Sequence, residues 1–491
     1  MSERHDIAAD AAAIRTAAIA AVQPQTLVAC RLSVRDGELL LDGQSLVPPL
    51  LLGDTGRIVL VGGGKAAAGM AAAVERLLRV AGVAPARLMG LVSVPAGCGM
   101  SLERIEVRET RPAGRNMPTP AAEVATREML GLVAGLTPKD LAIVIVTGGG
   151  SALVAAPRAG VPLDEKIAVA TFLAAAGADI RDLNTVRQAA SDVKAGSLAR
   201  ACAAGRLLAL VLSDVIGDPL DLIASGPCMP VTPQPTAALR VLERFGAVAA
   251  GIAPRLVARL EADVAVADAA PSSATTGSSW TTPRGCRVDH LLLGSNATAV
   301  EAAADAARAA GYEVVVRHAD TAAAETADAV GRRLGAEGLM LAERASRAGR
   351  PLAIIEGGEA VVTLPVEHGR GGRNQQTAVA ALAAVRASGQ AWPAGLCIAS
   401  LGTDGEDGPT PAAGGRVDAG VVMAIERAGL DVERAAVRCD AYPLLEATGG
   451  LIVTGPTGTN VADVRLVLAR PEARGVARSR RDVPTSSPVT P

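Results

Sequence analysis

The stretch that decides the fold is Arg57–Gly82, "RIVLVGGGKAAAGMAAAVERLLRVAG". A β-branched apolar run ends in three glycines, and an alanine-rich segment of helical length follows. That reads as a strand, a tight turn and a helix. The pattern returns along the first half of the chain. "RLMGLVSVPAG" (Arg87–Gly97), "DLAIVIVTGGG" (Asp140–Gly150) and "RLLALVLSDVIGD" (Arg206–Asp218) are further strands separated by helical stretches. Continuous apolar strands alternating with helices predict βαβ units and a mostly parallel sheet buried on both faces.

The second half resumes after "VAVADAAPSSATTGSSWTTPR" (264–284), a Ser/Thr/Pro-rich stretch that predicts a linker or surface loop. "PLAIIEGGEAVVTLP", "AGLCIASLGTDG" and "GGLIVTGPTGTNVADVRLVLA" supply strands with hairpin character, including a Gly-Gly turn. The organisation expected is an N-terminal α/β domain over 1–263, a linker or insertion over 264–285, a second α/β domain over 286–469 and a disordered tail over 470–491. The first segment, "MSERHDIAADAAAIRTAAIAAVQ", is broken by charge and predicts an amphipathic helix rather than a signal peptide.

Composition removes several function classes. The 491 residues carry a formal charge of −2 and 1% aromatics, so neither a global field nor stacking platforms would recruit nucleic acid. No stretch approaches the roughly 18 apolar residues of a membrane helix. Seven scattered cysteines without a C-x-x-C pair indicate reduced thiols in a cytoplasm. Four histidines, His5, His290, His318 and His368, leave little for a histidine-ligated metal or a Ser-His-Asp hydrolase.

In open α/β sheets ligands bind beyond the carboxyl ends of strands, and these ends carry unusual chemistry. Gly62, Gly63, Gly64 and Lys65 stand at a strand-to-helix junction, where backbone N–H groups and an ammonium can meet an anion. The alternative is a tight turn that needs glycine for its geometry. The motif is no Walker A loop, because Ala66 follows the lysine. The nearby G-x-G-x-x-A lacks an acid at the end of the next strand, which counts against a nicotinamide cofactor. Gly148, Gly149, Gly150 and Ser151 repeat the device. Asn184 and Arg187 are placed at the start of a helix, where Arg187 can clamp a carboxylate. Asp214 follows an apolar strand directly, whereas Asp218 before Pro219 reads as a turn former. Arg373, Asn374 and Gln375 open a helix and suit a phosphoryl group. Asp404, Glu406 and Asp407 sit between glycines at another strand end. Anion cradles beside oxygen ligands suggest a nucleotide with Mg²⁺. An EF-hand would need glutamate at its twelfth position, where Gly415 stands.

Taken in order, "VGGGKAAAGMA", "VTGGGSALV", "LNTVR", "LSDVIGDPLDLIASGP", "LLGSNATAVEAA", "GRGGRNQ", "SLGTDGEDGPT" and "ATGGLIVTGPTGTNVADV" resemble the type II glycerate 2-kinases, whose C-terminal domain is called MOFRL. The resemblance spans about residues 8 to 468. It implies a Rossmann-like αβα sandwich, a MOFRL-type domain with a mixed sheet, and an active site in the cleft between them. It implies transfer of the γ-phosphoryl of ATP to the 2-hydroxyl of D-glycerate, with Mg²⁺, by a monomer or homodimer that engages neither nucleic acid nor membrane. The family's essential residues match Lys65, Asp214, Arg373 and Asp404, with Asp214, Asp404 and Glu406 expected around the metal. The glycine turns, Ser295, Asn296, Asn374 and Gln375 are expected at the nucleotide, and Ser151, Asn184 and Arg187 at the hydroxy acid. Two other readings compete: an NAD(P)H-dependent hydroxypyruvate reductase and a nucleotide-binding regulator without catalysis.

Overall fold

The architecture is seen in a computed structural model that describes residues 6–114, 116–267, 279–319 and 325–471. A small antiparallel sheet comes first, formed by β1 (Leu32–Arg35), β2 (Glu38–Leu41) and β3 (Gln44–Ser45). The first large sheet is built from β4 (Ile58–Gly63), β5 (Leu88–Pro95), β6 (Ile105–Arg111), β7 (Leu141–Val146), β8 (Arg206–Leu212), β9 (Ser279–Thr281) and β10 (Arg287–Gly294). Its spatial order is β6-β5-β4-β7-β8-β10-β9. All its neighbours are parallel except the edge pair β9–β10. The register sets Ile58 beside both Leu88 and Leu141, so the strands end level and their glycine turns form one rim.

The second sheet comprises β11 (Glu313–Arg317), β12 (Leu352–Gly358), β13 (Leu396–Gly402), β14 (Gly414–Asp418), β15 (Leu451–Ile452) and β16 (Asp463–Ala469), ordered β11-β12-β16-β13-β14-β15. Only β11 and β12 are parallel; the other pairs are antiparallel. The carboxylate-rich loop is the connection between β13 and β14.

Several sequence expectations change. Residues 286–294 do not open the second domain. They add β10 to the first sheet, because its apolar run pairs with β8. The segment expected as a linker is helical through Ala267 and a strand again at Ser279–Thr281, while 268–278 lie outside the described residues. The helix Ile7–Ala21 belongs by packing to the second unit, against β13, β16 and the helix Asn296–Ala309. Gly357 and Gly358 end β12 without a hairpin turn, and its partners are β11 and β16. Arg470, expected in the tail, is tied to Asp10 at 2.7 Å and to the Tyr312 hydroxyl at 2.9 Å. Residues 472–491 lie outside the described residues. Asp218 does adopt the left-handed turn conformation, with φ of 54°.

The two units share one apolar core that runs from Ile58, Leu60 and Met70 through Ala303 and Ala307 to Ile355 and Leu466. A separate cluster joins the helices Leu163–Ala175, Ile180–Ala189, Pro235–Arg244 and Pro254–Ala267. Gly62, with φ of 144°, is required by close packing: a Cβ there would collide with the Ile145 carbonyl on β7. Gly62→Ala should therefore cost about 3 kcal/mol or more. Chemical denaturation checks this, with a large loss of the midpoint as the expected result.

Candidate active site

Two adjoining cavities lie between the units, and Glu359 and Ala360 line both. The first, about 920 Å³, is lined by Lys65, Arg111, Asn116, Gly149 and Asp214 from the first unit. Glu359, Arg373, Asp404, Glu406, Asp407 and Asn460 line it from the second. The second cavity, about 1040 Å³, holds Ser151, Asn184, Arg187 and Ser225 opposite Arg317, Arg333 and Glu356.

Lys65 projects from the turn between β4 and the helix Ala67–Val80. Its backbone N–H donates to the Gly148 carbonyl at 2.9 Å, which pins one glycine turn to the next. Its ammonium crosses to the other unit and donates to Asp404 Oδ2 at 2.7 Å and Glu406 Oε2 at 2.6 Å. Burial alone would lower this lysine, but the two carboxylates outweigh it and hold it above the usual range.

Asp214 sits just past β8. Its Oδ2 accepts from Asn460 Nδ2 at 3.2 Å, a second link between the units. Gly148 makes room for this contact, since a Cβ there would press on both side chains. Burial, and then the charge of Glu359, push the Asp214 carboxyl up to about 6. Glu359 is itself raised by burial and by the nearby Asp463 and Asp404.

Arg373 opens the helix Arg373–Ala387. Asp463, fully buried at the start of β16, takes its Nε at 2.8 Å and Nη2 at 2.9 Å, and Glu359 takes Nη1 at 2.9 Å. Paired hydrogen bonds of this kind fix a guanidinium in one orientation.

The site residues expected from sequence divide into two groups. Lys65, Asp214, Arg373, Asp404, Glu406 and Gly149 share the first cavity, and Ser151, Asn184 and Arg187 share the second. Asn374 and Gln375 differ from expectation. Both are buried, and their backbone N–H groups donate to Asp407 at 3.0 and 2.8 Å. The protein's own carboxylate thus occupies the helix N-terminus expected to hold a phosphate. That carboxyl is pushed up to about 7 by burial. Ser295 caps the helix Asn296–Ala309, and Asn296 Nδ2 donates to the carbonyls of Val461 and Asp463 at 2.9 Å each. Ser295 is thus a helix cap and Asn296 a strut that reaches the second sheet. Gly62, Gly63 and Gly64 are buried between strands and line neither cavity. Asn184 and Arg187 occupy the middle and last turn of the helix Ile180–Ala189, not its start. Among the described residues no three histidine, cysteine or acidic side chains form a ready-made metal cage.

Sequence reasoning missed Glu359, Asn460 and Asp463. Glu359 was hidden in an apparent Gly-Gly hairpin turn. Asn460 and Asp463 stand in "GPTGTNVADV", whose glycines and alternating polar residues were the available signal.

A two-lobed α/β fold whose cleft sets a lysine and an arginine against clustered carboxylates defines an enzyme for a small anionic substrate. Residues 10–261 match a domain of unknown function, DUF4147, and residues 352–463 match the MOFRL family. A glycerate kinase of Homo sapiens is 35% identical, with 84% of each chain covered. A glycerate 2-kinase of Pyrococcus horikoshii is 30% identical over 92% of this chain and 94% of its own. The crystal structure of a glycerate kinase from Thermotoga maritima superposes with a TM-score of 0.74 at 30% identity, covering 94% of this chain and 99% of that one. The chain belongs to the glycerate kinase family.

The pKa of Asp214 has a testable consequence. Its folded value, about 6, exceeds the unfolded value near 3.9, so its ionisation opposes folding above about pH 6. Asp214→Asn should raise the denaturation midpoint at pH 7.5, by the order of 1 kcal/mol in unfolding free energy. The gain should fade as pH falls through 6 and be gone near pH 4, where wild type is protonated in both states. Denaturation curves at the two pH values read this directly.

Proposed function

We propose that this enzyme transfers the γ-phosphoryl group of ATP to the 2-hydroxyl of D-glycerate, giving 2-phospho-D-glycerate and ADP. The observation that carries the proposal is the convergence of Lys65, Asp214, Arg373 and Asp404 on one cavity between the units. The bond from the acceptor oxygen to phosphorus forms as the bond from phosphorus to the β-phosphate bridging oxygen breaks. The hydroxyl proton passes to Asp214, whose burial and carboxylate neighbours give it more proton affinity than an ordinary aspartate. Lys65 and Arg373 face the charge that spreads over the transferring phosphoryl oxygens. Arg373 is held by Asp463 and Glu359 and needs no reorganisation.

The acidic lining fits a divalent ion. Asp214, Glu359, Asp404, Glu406 and Asp407 outnumber Lys65, Arg111 and Arg373 there, and burial with mutual repulsion raises Asp214 and Glu359. Mg²⁺ takes one or two carboxylates and completes its shell with phosphate and water, so Asp404 and Glu406 would hold it, which leaves Asp214, expected near the metal, free to take the proton. Bound there, it would neutralise the phosphates. Ser151, Asn184 and Arg187 in the second cavity are assigned to the hydroxy acid.

All the residues assigned to the site come from one chain, which fits a monomer or a homodimer. The cysteines are unpaired, as a reducing cytoplasm keeps them, and we place the enzyme there; among the described residues no helix is long and apolar enough to cross a membrane. A reductase would need a ribose-binding acid after the first glycine turn, and the next strand, β5, ends at Pro95 without one.

Incubation with ATP, Mg²⁺ and D-glycerate should yield ADP and 2-phosphoglycerate, resolved from the 3-isomer by phosphorus NMR. EDTA should stop turnover, and Lys65→Ala and Asp404→Asn should each slow it ~100-fold or more. Oxidation of NAD(P)H by hydroxypyruvate at enzymatic rates, or wild-type turnover in both variants, would overturn the assignment.

A further inference from the structure

The second cavity contains positive charge, at Arg187, that no acid among the described residues answers. Ile180, Asn184 and Arg187 project into it from one face of a helix, at spacings of four and three residues. Among the described residues Arg187 makes no hydrogen bond and no ion pair, although it is half-buried. Arginines on the opposite wall differ. Arg333 and Arg465 both hold Glu356, at 2.8 and 3.1 Å, and Arg317 holds Glu337 at 2.7 Å. The uncompensated charge therefore lies on the wall contributed by the first unit.

Behind that wall is Lys194, only 1% exposed. Its Nζ contacts Ser151 Oγ at 2.7 Å, the Ser151 carbonyl at 3.2 Å and the Ala224 carbonyl at 3.1 Å. All three partners are neutral. Burial, then the charges of Lys166 and Arg187, push this lysine well below its usual range. Ala224 and Ser225 both have positive φ, 49° and 61°, which non-glycine residues rarely adopt. Ser225 Oγ in turn donates to Asn184 Oδ1 at 3.0 Å. Lys194 thus clamps the turn after β7 to a strained turn after β8, and both turns present a hydroxyl to the cavity. A buried lysine with no acid beside it is costly. So is a half-buried arginine without a counter-ion. Both costs fall when an anion enters.

We infer that Lys194 is a positioning residue for the acceptor: it fixes Ser151 and, through the Ala224–Ser225 turn, Asn184, so that with Arg187 they cradle the carboxylate of a 2-hydroxy acid in the second cavity. This rests on the kinase reading and deepens it. The first cavity is left to the nucleotide phosphates, and the acceptor reaches the shared wall at Glu359 and Ala360 with its carboxylate pointing away from the chemistry. The cradle also accounts for selectivity. A neutral polyol or amide would leave Arg187 without a counter-ion and would forgo the charge-assisted hydrogen bonds.

The test uses the full-length enzyme and follows ADP formation with D-glycerate and with glyceramide, its uncharged analogue, for wild type, Lys194→Met, Arg187→Met and Arg187→Lys. Loss of one charge-assisted contact corresponds to roughly 10- to 100-fold. The KM for D-glycerate should rise by that factor in both methionine variants, while the KM for the nucleotide moves less than about threefold. Arg187→Lys should recover part of the loss. Preference for D-glycerate over glyceramide should collapse in both methionine variants, which a merely structural role for Lys194 would not produce. Unchanged KM for D-glycerate, or a fall in nucleotide affinity equal to that for glycerate, would overturn the inference. Arg187 faces the cavity rather than the core, so its variants test the cradle independently; if Lys194→Met does not fold, Ser151→Ala, which removes the hydroxyl that Lys194 holds, should raise the KM for D-glycerate in its place, and an unchanged KM there would overturn the inference. If wild type makes no ADP with D-glycerate, the kinase reading itself has failed, and that result is distinct from active variants with unaltered KM.

Discussion

The ammonium of Lys65, held by Asp404 and Glu406, is the contact around which the cleft is organised. Its partners lie 339 and 341 residues away along the chain. No local propensity can produce such a contact; it requires both sheets to be complete and docked. The docking comes from apolar packing through the helices Ile7–Ala21, Ala67–Val80 and Asn296–Ala309, which join the two sheets in one core. A charge pair in a partly hydrated cleft adds little to that stability. Its value is positional, because it holds the lysine at the mouth of the acidic loop, where a phosphate could displace the carboxylates.

The same cleft stores electrostatic cost. Carboxylates crowd the first cavity, and Arg187, with no acid against it among the described residues, stands beside the second. Each set raises the energy of the empty protein, in line with the general conflict between stability and function at binding sites. The strained backbone at Ala224 and Ser225 belongs with them. These features occur where the two units meet and not inside either sheet. The central parallel strands of the first sheet, β4, β7 and β8, are buried along their whole length and conventional.

Much of this was readable in the sequence. Strands buried on both faces must be continuous apolar runs, so β4, β5, β7 and β8 declared themselves, and their glycine ends located the rim of the cleft. Asp214 and Asp404 stood out because a carboxylate directly after such a run has nowhere to go but the strand end. What stayed hidden was non-local. Whether Arg287–Gly294 joins the first or second sheet depends on a parallel partner about 80 residues upstream, which no local pattern encodes. Asn374 and Gln375 have the chemistry of phosphate ligands, but Asp407, more than thirty residues on, fills the helix N-terminus instead. Asp463 looked like an ordinary strand residue; its register opposite Gly358 turns its carboxylate toward Arg373.

The central claim is that Lys65 meets the phosphates of a bound nucleotide inside this cleft. Its most direct test is acylation by a nucleoside acyl phosphate, which transfers its acyl group to an amine lying against the terminal phosphate, followed by peptide mass spectrometry. The account predicts acylation at Lys65, suppressed by excess ATP. Labelling that spares Lys65, or that excess ATP does not suppress, would contradict it.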